Sequence, residues 1–126
     1  MDINSTNYVD CAESVIKELK AEGKGNIRLT TSKIRNILSM ILEIYNEVLH
    51  ESGEKLSLES QERIQYLKLR IIYESGREKE VKNFVKKSDL LSLLGKIKNR
   101  KDAFLLFSRY MEALVAYHRF YGGKDK

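Results

Sequence analysis

Apolar residues recur at intervals of three and four along most of the chain, which is the spacing of one face of an α-helix. The clearest stripe extends over four turns and consists of Ile34, Ile37, Leu38, Ile41, Ile44, Tyr45 and Val48. Comparable stripes occupy residues 8–21, 57–76, 77–87, 88–98 and 102–121. The sequence therefore predicts an all-α fold, a single compact bundle of about five to six helices.

Turn and capping residues mark the ends of these helices. Glu22–Asn26 contains two glycines and interrupts the first stripe, and Ser52-Gly53 ends the second. The hydroxyls of Thr30–Ser32 and of Ser57 are suited to cap the helices that follow them. Gly76 is suited either to end the third helix or to kink it. Asn26–Thr30 is the one short strand candidate, and it is not convincing.

The last helix is apolar on nearly all sides, through Phe104, Phe107, Tyr110, Met111, Leu114, Val115, Tyr117 and Tyr121. Such a helix needs neighbours on most sides, so it is either the centre of the bundle or part of a subunit interface. Its polar stripe contains Arg109, Glu112, Ala116 and Arg119, and this stripe is either its solvent side or a contact to a partner. His118 lies on the apolar side, where a hydrogen-bonded core histidine is expected.

Composition favours one ordered domain that spans residues 1–126, with ends prone to disorder at about 1–6 and 122–126. Proline is absent, 42% of the residues are apolar and 33% are charged, which is too apolar for a disordered chain. The longest uncharged runs, Ile3–Val9 and Asn36–Leu42, are too short to span a membrane. The beginning lacks the pattern of a signal peptide, and a single cysteine, Cys11, excludes an internal disulfide, so a cytoplasmic location is expected.

The formal net charge is +5, and residues 53–126 hold 17 basic against 10 acidic side chains. This asymmetry suits a polyanionic partner. On the third helix Tyr66, Arg70, Tyr73 and Arg77 share one face. Guanidinium groups pair with phosphates and tyrosines stack on bases, but two packed tyrosines beside ordinary surface arginines would give the same pattern.

Two further groups of residues suggest a function, one on the third helix and one at the start of the second. Lys68 falls inside the apolar stripe formed by Leu67, Ile71 and Ile72, where it must reach solvent, pair with an acid or contact a ligand. Lys33, Arg35 and Asn36 occupy the first turn of the second helix, where exposed backbone N–H groups attract phosphate. Plain capping with solvated charges explains the same residues.

No catalytic constellation is present in the sequence, and no cofactor is predicted. Glu47 and His50 have the spacing used twice in di-iron bundles, but it occurs once here, so a solvated helix face is the simpler interpretation. Nothing positions Cys11 and His118 as a nucleophile and its base. The glycine pairs near residues 23 and 122 match neither a dinucleotide fingerprint nor a phosphate loop.

Three strings carry a resemblance to a known family: Leu29-Thr-Thr-Ser-Lys-Ile-Arg-Asn-Ile-Leu-Ser-Met40, Leu67-Lys-Leu-Arg-Ile-Ile-Tyr-Glu-Ser-Gly-Arg77 and Arg109-Tyr-Met-Glu-Ala-Leu-Val-Ala-Tyr-His-Arg-Phe-Tyr-Gly-Gly-Lys124. Together they resemble the small subunit of type III-A CRISPR–Cas effector complexes, the Csm small-subunit family. The family pattern often has Gln in place of Lys33 and Lys in place of Arg119, and both departures keep or add positive charge.

The resemblance implies an all-helical, non-catalytic subunit present in several copies within a ribonucleoprotein. Its implied partners are guide RNA and target RNA, the backbone subunits, the large polymerase-like subunit and other copies of itself, with no membrane. The RNA-contacting residues implied by the matching strings are Lys33, Arg35, Asn36, Lys68, Arg70, Arg77 and Arg119. Two other hypotheses remain: a protein–protein adaptor with incidental basic charge, and a small metal-binding enzyme.

Overall fold

A computed structural model describes residues 1–125 as six α-helices joined by short connections. These are α1 (Tyr8–Glu22), α2 (Thr31–Leu49), α3 (Leu58–Arg77), α4 (Lys79–Ser88), α5 (Leu90–Ile97) and α6 (Lys101–Phe120). No strand occurs among residues 1–125, where the one β-type contact is an antiparallel bridge between Lys55 and Arg100. The predicted all-α class and the number of helices are confirmed, and Asn26–Thr30 is not a strand.

Helix α6 is the centre of the bundle, because α1, α2 and α5 all pack against it. The side chains of Phe104, Phe107, Tyr110, Met111 and Leu114 are at most 1% exposed. Burying one such side chain stabilises the fold by roughly 1.5–3 kcal/mol. Of the two roles that the sequence left open for this helix, the structure shows the central one.

The predicted caps of α2 and α3 are confirmed. The Thr30 hydroxyl accepts a hydrogen bond from the Lys33 backbone N–H at 3.3 Å, and the Ser57 hydroxyl accepts one from the Ser60 N–H at 3.0 Å. Each cap of this kind is worth about 1 kcal/mol. Gly76 does not end α3, which continues to Arg77. The break falls at Glu78 instead, whose extended backbone (φ −132°, ψ 118°) precedes α4.

His118 is fully buried near the end of α6, and its Nε2 lies 2.7 Å from the carbonyl oxygen of Leu29. This contact joins the end of α6 to the chain just before α2. It confirms the expected hydrogen-bonded core histidine. It also fixes the direction of α2 against α6, since the start of one helix meets the end of the other.

Both chain ends contact the helices. The Lys96 ammonium donates a hydrogen bond to the Met1 carbonyl at 3.1 Å, and the Thr31 N–H donates one to the Lys124 carbonyl at 3.0 Å. Disorder at residues 1–6 and 122–126 stays a prediction, and Lys126 lies outside the described residues. None of the six helices combines the length and the apolar character needed to span a bilayer.

Candidate nucleic-acid interface

Helices α2 and α3 lie side by side and antiparallel. At one end Lys33 Nζ is 2.7 Å from Glu78 Oε2, and at the other Arg63 Nη1 is 2.6 Å from Glu47 Oε1. These two ion pairs align the first turns of α2 with the last turns of α3. The pair therefore presents a continuous outer surface to which both helices contribute side chains.

The basic and aromatic strip predicted on α3 lies on this surface. Tyr66 and Tyr73 are each 59% exposed, so neither serves the core. Arg70 is half-exposed and Arg77 is exposed. The Arg77 guanidinium carbon lies 5.6 Å from the centre of the Tyr73 ring, and Arg77 Nη1 lies 3.3 Å from Glu74 Oε1. A cation held against an aromatic ring is a contact that also suits stacking on RNA.

One residue of α3 is placed differently from the prediction. The sequence placed Ile72 on the inward stripe, but its side chain is 46% exposed. The nearby Leu69 is 58% exposed. The buried residues of α3 form a narrow line that includes Ile64, Leu67 and Ile71. Ile72 lies beside that line and borders an open pocket with Val85 of α4 and Leu91 of α5, which leaves it about half exposed.

The first turns of α2 complete the surface. Asn36 is exposed one turn before Met40, and Met40 lines a groove together with Tyr66 and Arg70. We use the term α2–α3 face for the set Lys33, Asn36, Met40, Tyr66, Arg70, Tyr73 and Arg77. The structure thus brings together four of the seven residues expected to contact RNA.

Lys33 already has a partner on this face. The Lys33 ammonium donates a hydrogen bond to Glu78. This hydrogen bond, together with the positive charge of Lys33, holds the pKa of the Glu78 carboxyl below its usual range. The helix start itself is also in use, since the Thr30 hydroxyl and the Lys124 carbonyl accept from its N–H groups. The contribution of the bare helix start to anion binding is therefore smaller than the sequence suggests.

Arg35 and Arg119 lie outside the α2–α3 face. Both are exposed, and the Leu29–His118 contact places the first turns of α2 beside the last turns of α6. The two arginines therefore lie at the same end of the α2–α6 pair. The rest of the polar stripe on α6, Arg109, Glu112 and Ala116, is exposed as well, so this stripe faces away from the bundle.

Lys68 is on the opposite flank of α3. It is half-buried and lines a cavity of about 720 Å³ between α3 and α5, together with Leu94 and Lys98. Among the residues described, no carboxylate forms an ion pair with it. Of the explanations weighed for Lys68, pairing with an acid is the one that the structure does not support.

Sequence reasoning missed two basic residues next to the predicted ones. Arg63 precedes Arg70 by two turns on the same side of α3, so the spacing was a usable signal. Lys98 follows α5 in a turn with φ 55° and ψ −120°, and it reaches the cavity of Lys68 only through the packing of α5 against α3. No pattern in the sequence predicts a contact of that kind.

The residues considered for metal binding or catalysis are not grouped. His50 caps the end of α2 at the surface, His118 is in the core, and Cys11 is half-buried in α1. Within residues 1–125 there is no group of three or more His, Cys, Asp or Glu residues that could hold a metal ion.

Comparison with known proteins identifies the family of the chain. A family model described as Csm2 Type III-A matches residues 2–124. A Streptococcus thermophilus protein named CRISPR system Cms protein Csm2 is 43% identical over 123 residues, which cover 98% of each chain. Its namesake from Mycobacterium tuberculosis (strain CDC 1551 / Oshkosh) is 39% identical over the full length of both chains. The namesake from Enterococcus italicus is 42% identical over 95 residues, 74% of this chain and 68% of that one. The chain therefore belongs to the Csm2 family, the small subunits of type III-A CRISPR–Cas effector complexes.

Proposed function

We propose that this chain is a non-catalytic RNA-holding subunit that lines the groove of the guide–target RNA duplex in a type III-A complex. It acts in multiple copies and contacts the RNA backbone through basic helix faces. Its partners are guide and target RNA, the backbone subunits, the large polymerase-like subunit and further copies of the same chain. Together they form a cytoplasmic ribonucleoprotein.

The α2–α3 face is the observation that carries this proposal. Arg70 has no carboxylate within ion-pairing distance among residues 1–125, and Arg77 has only the neighbouring Glu74. Such guanidinium groups are available to phosphates, and the exposed Tyr66 and Tyr73 add rings for stacking or hydrogen bonding. Contact through backbone charge and shape suits a subunit of a complex whose target is selected by base pairing.

The seven residues expected to contact RNA divide into three places. Four of them belong to the α2–α3 face, and we assign the main backbone contact to these: Lys33, Asn36, Arg70 and Arg77. Arg35 and Arg119 offer a second contact at the end of the α2–α6 pair. Lys68 offers a third beside α5, so one copy contacts RNA or a neighbouring subunit on several sides.

Each copy then makes only a few phosphate contacts. With three or four of them, the affinity for single-stranded RNA falls by roughly 20- to 50-fold between 50 and 200 mM salt. A free copy binds weakly, and linking several copies along one RNA supplies the useful affinity.

Charge reversal on the α2–α3 face tests the proposal. The Arg70→Glu/Arg77→Glu variant is assembled into the complete ribonucleoprotein, and target-RNA affinity is measured at several salt concentrations. We expect weaker binding and a salt slope smaller by about 1.4 for each copy in the complex, at ~0.7 for each lost phosphate contact. The matched control is Lys82→Glu/Lys86→Glu on α4, which changes the net charge equally at exposed positions. Unchanged affinity in the Arg70/Arg77 variant would refute the assignment.

A protein–protein adaptor is the second candidate, because Leu69 and Ile72 form an uncovered apolar strip on α3. Under this hypothesis Leu69→Ser/Ile72→Ser prevents incorporation of the chain into the complex. The Arg70→Glu/Arg77→Glu variant would then retain full RNA affinity. The two results together separate the adaptor from the RNA-holding subunit.

A further inference from the structure

The groove between α2 and α3 widens into a cavity of about 430 Å³. Its floor is apolar and includes Ile44 and Leu67, which are buried, and Met40. Tyr66 and Arg70 line it on the α3 side. A cavity of this size, with an apolar floor and a few polar groups at its rim, is suited to a small planar ligand.

The rim of this cavity differs in charge from the rest of the α2–α3 face. Three carboxylates, Glu43, Glu59 and Glu62, line it against two arginines, Arg63 and Arg70. Arg63 is already shared between Glu47 at 2.6 Å and Glu59 at 3.2 Å.

Glu43 and Glu62 are therefore the carboxylates still available. Both are exposed, and neither has an ion pair in the described part of the chain. Carboxylates accept hydrogen bonds and repel phosphate. Whatever enters the cavity must present N–H donors to this rim and leave its phosphate outside, at Arg70.

We propose that the cavity binds one unpaired nucleobase of the RNA, with guanine as the preferred base. The inference rests on the proposed RNA-holding function and deepens it. Guanine offers the N1–H and the N2 amino group side by side, a donor pair that one carboxylate accepts in bidentate fashion. Tyr66 stacks on the base, and Arg70 pairs with its phosphate at the mouth of the cavity.

The other bases fit less well. Cytosine and adenine carry one amino group beside a ring-nitrogen acceptor, which faces a carboxylate unfavourably. Uracil has one N–H between two carbonyl oxygens, so it is the poorest match. Inosine keeps the purine ring and the N1–H of guanine but lacks the amino group, which makes it the matched probe.

The experiment uses the full chain and three fluorescein-labelled 15-nucleotide RNAs in 50 mM salt. One is all uridine, one has three spaced guanosines, and one has inosines at those positions. Fluorescence anisotropy gives the affinities. We expect the guanosine RNA to bind at least about 5-fold more tightly than the uridine RNA, with inosine between them. In Glu43→Gln/Glu62→Gln the guanosine-to-inosine ratio falls to about one, whereas Glu112→Gln, an exposed change on α6, leaves it intact.

The outcomes separate this inference from the proposed function. Salt-dependent binding of all three RNAs with equal affinity overturns the base site and leaves the RNA-holding role standing. A preference for guanosine that persists in the Glu43/Glu62 variant overturns the placement in this cavity. Equal affinities, combined with failure of that variant to enter the complex, assign the cavity to a basic protein segment instead. Absence of RNA binding, with no effect of Arg70→Glu/Arg77→Glu in the complex, overturns both proposals.

Discussion

Helices α3 and α6 have the same length, 20 residues each, but opposite surroundings. Most of the inward side of α6 is fully buried, from Phe104 to His118. In α3 the buried side chains are Ser60, Ile64, Leu67 and Ile71, while large apolar and aromatic residues remain exposed. Helix α6 packs against α1, α2 and α5, and α3 packs against α2, α4 and α5. The difference lies in the width of the buried side, which is broad on α6 and a single narrow line on α3.

The comparison separates the helix that contributes most to the core, α6, from the helix that carries the proposed RNA contact, α3. Truncating a buried apolar side chain of α6 leaves a cavity in the common core, because the surrounding side chains relax only partly into the space. Substitutions on the outer surface of α3 leave the core packing intact, because the exposed side chains there make few contacts with other residues. Substitutions on the two helices should therefore have separable consequences.

The largest expected effect is that of Phe107→Ala in α6. Phe107 is 1% exposed, and its ring centre lies 6.4 Å from that of Phe104. We expect a loss of about 3–5 kcal/mol in the free energy of unfolding, measured by urea denaturation. Ile72→Ala on the outer side of α3 should cost less than about 1 kcal/mol, since the side chain is half exposed.

A milder variant keeps this comparison testable if Phe107→Ala does not fold. Phe107→Leu retains most of the apolar volume and should cost about 1–2 kcal/mol. A result in which Ile72→Ala destabilises the chain as much as Phe107→Leu would contradict the division between the two helices. It would show that the outer side of α3 is packed in the protein in solution.

Two glycines give the next largest contrast. A Cβ on Gly123, just after α6, would lie 2.1 Å from Cε1 of the buried His118 ring. We expect Gly123→Ala to cost about 1–3 kcal/mol by the same denaturation assay. Gly76, inside α3, has open space at that position, so Gly76→Ala should stabilise the helix by roughly 0.5–1 kcal/mol.

The signs of these two glycine effects matter more than their sizes. Equal stability of Gly123→Ala and the parent chain would mean that the tail lifts away from His118 at little cost. A destabilising Gly76→Ala would mean that the end of α3 does not remain helical up to Arg77. Circular dichroism of both variants distinguishes local fraying from loss of the whole fold.

The sequence predicted what depends on one helix at a time. Periodicity identified the apolar face of α6 and the inward position of His118, and local hydroxyls identified the caps at Thr30 and Ser57. These features can be predicted without knowing the neighbouring helices. The helical repeat of 3.6 residues per turn sets the direction of each side chain, and the unpaired N–H groups of the first turn require a cap.

What the sequence could not predict depends on contacts between helices. The pairing of Lys33 with Glu78 and of Arg63 with Glu47 joins residues far apart in the chain, and only the packing of α2 on α3 selects them. The exposure of Ile72 has the same origin, because periodicity gives a direction on α3 without saying whether another helix lies there. The α2–α3 groove and its free carboxylates were missed for this reason.

The start of α3 adds a last contrast with α6, because polar contacts hold it rather than apolar packing. Glu51, in the connection between α2 and α3, accepts hydrogen bonds from the Ser60 hydroxyl and from the N–H and hydroxyl of Ser57. These hydrogen bonds hold the pKa of the Glu51 carboxyl below its usual range. The bond from the Ser60 hydroxyl has the largest effect, and the bond from the Ser57 N–H has the next largest. A carboxylate of this kind stabilises the folded state above its unfolded pKa, and that stability is lost as the pH falls through the folded pKa.

Glu51→Gln should therefore be less stable than the parent chain at pH 7, by less than about 1 kcal/mol because the group is partly exposed. The difference should be smaller at pH 3 than at pH 7, because it is lost as the pH falls through the lowered pKa of folded Glu51. Urea denaturation of both proteins at the two pH values measures this difference in the free energy of unfolding. The control is Glu112→Gln at an exposed position of α6, which should leave the free energy of unfolding unchanged at both pH values. A difference that stays constant with pH would show that Glu51 acts through its shape and not through its charge.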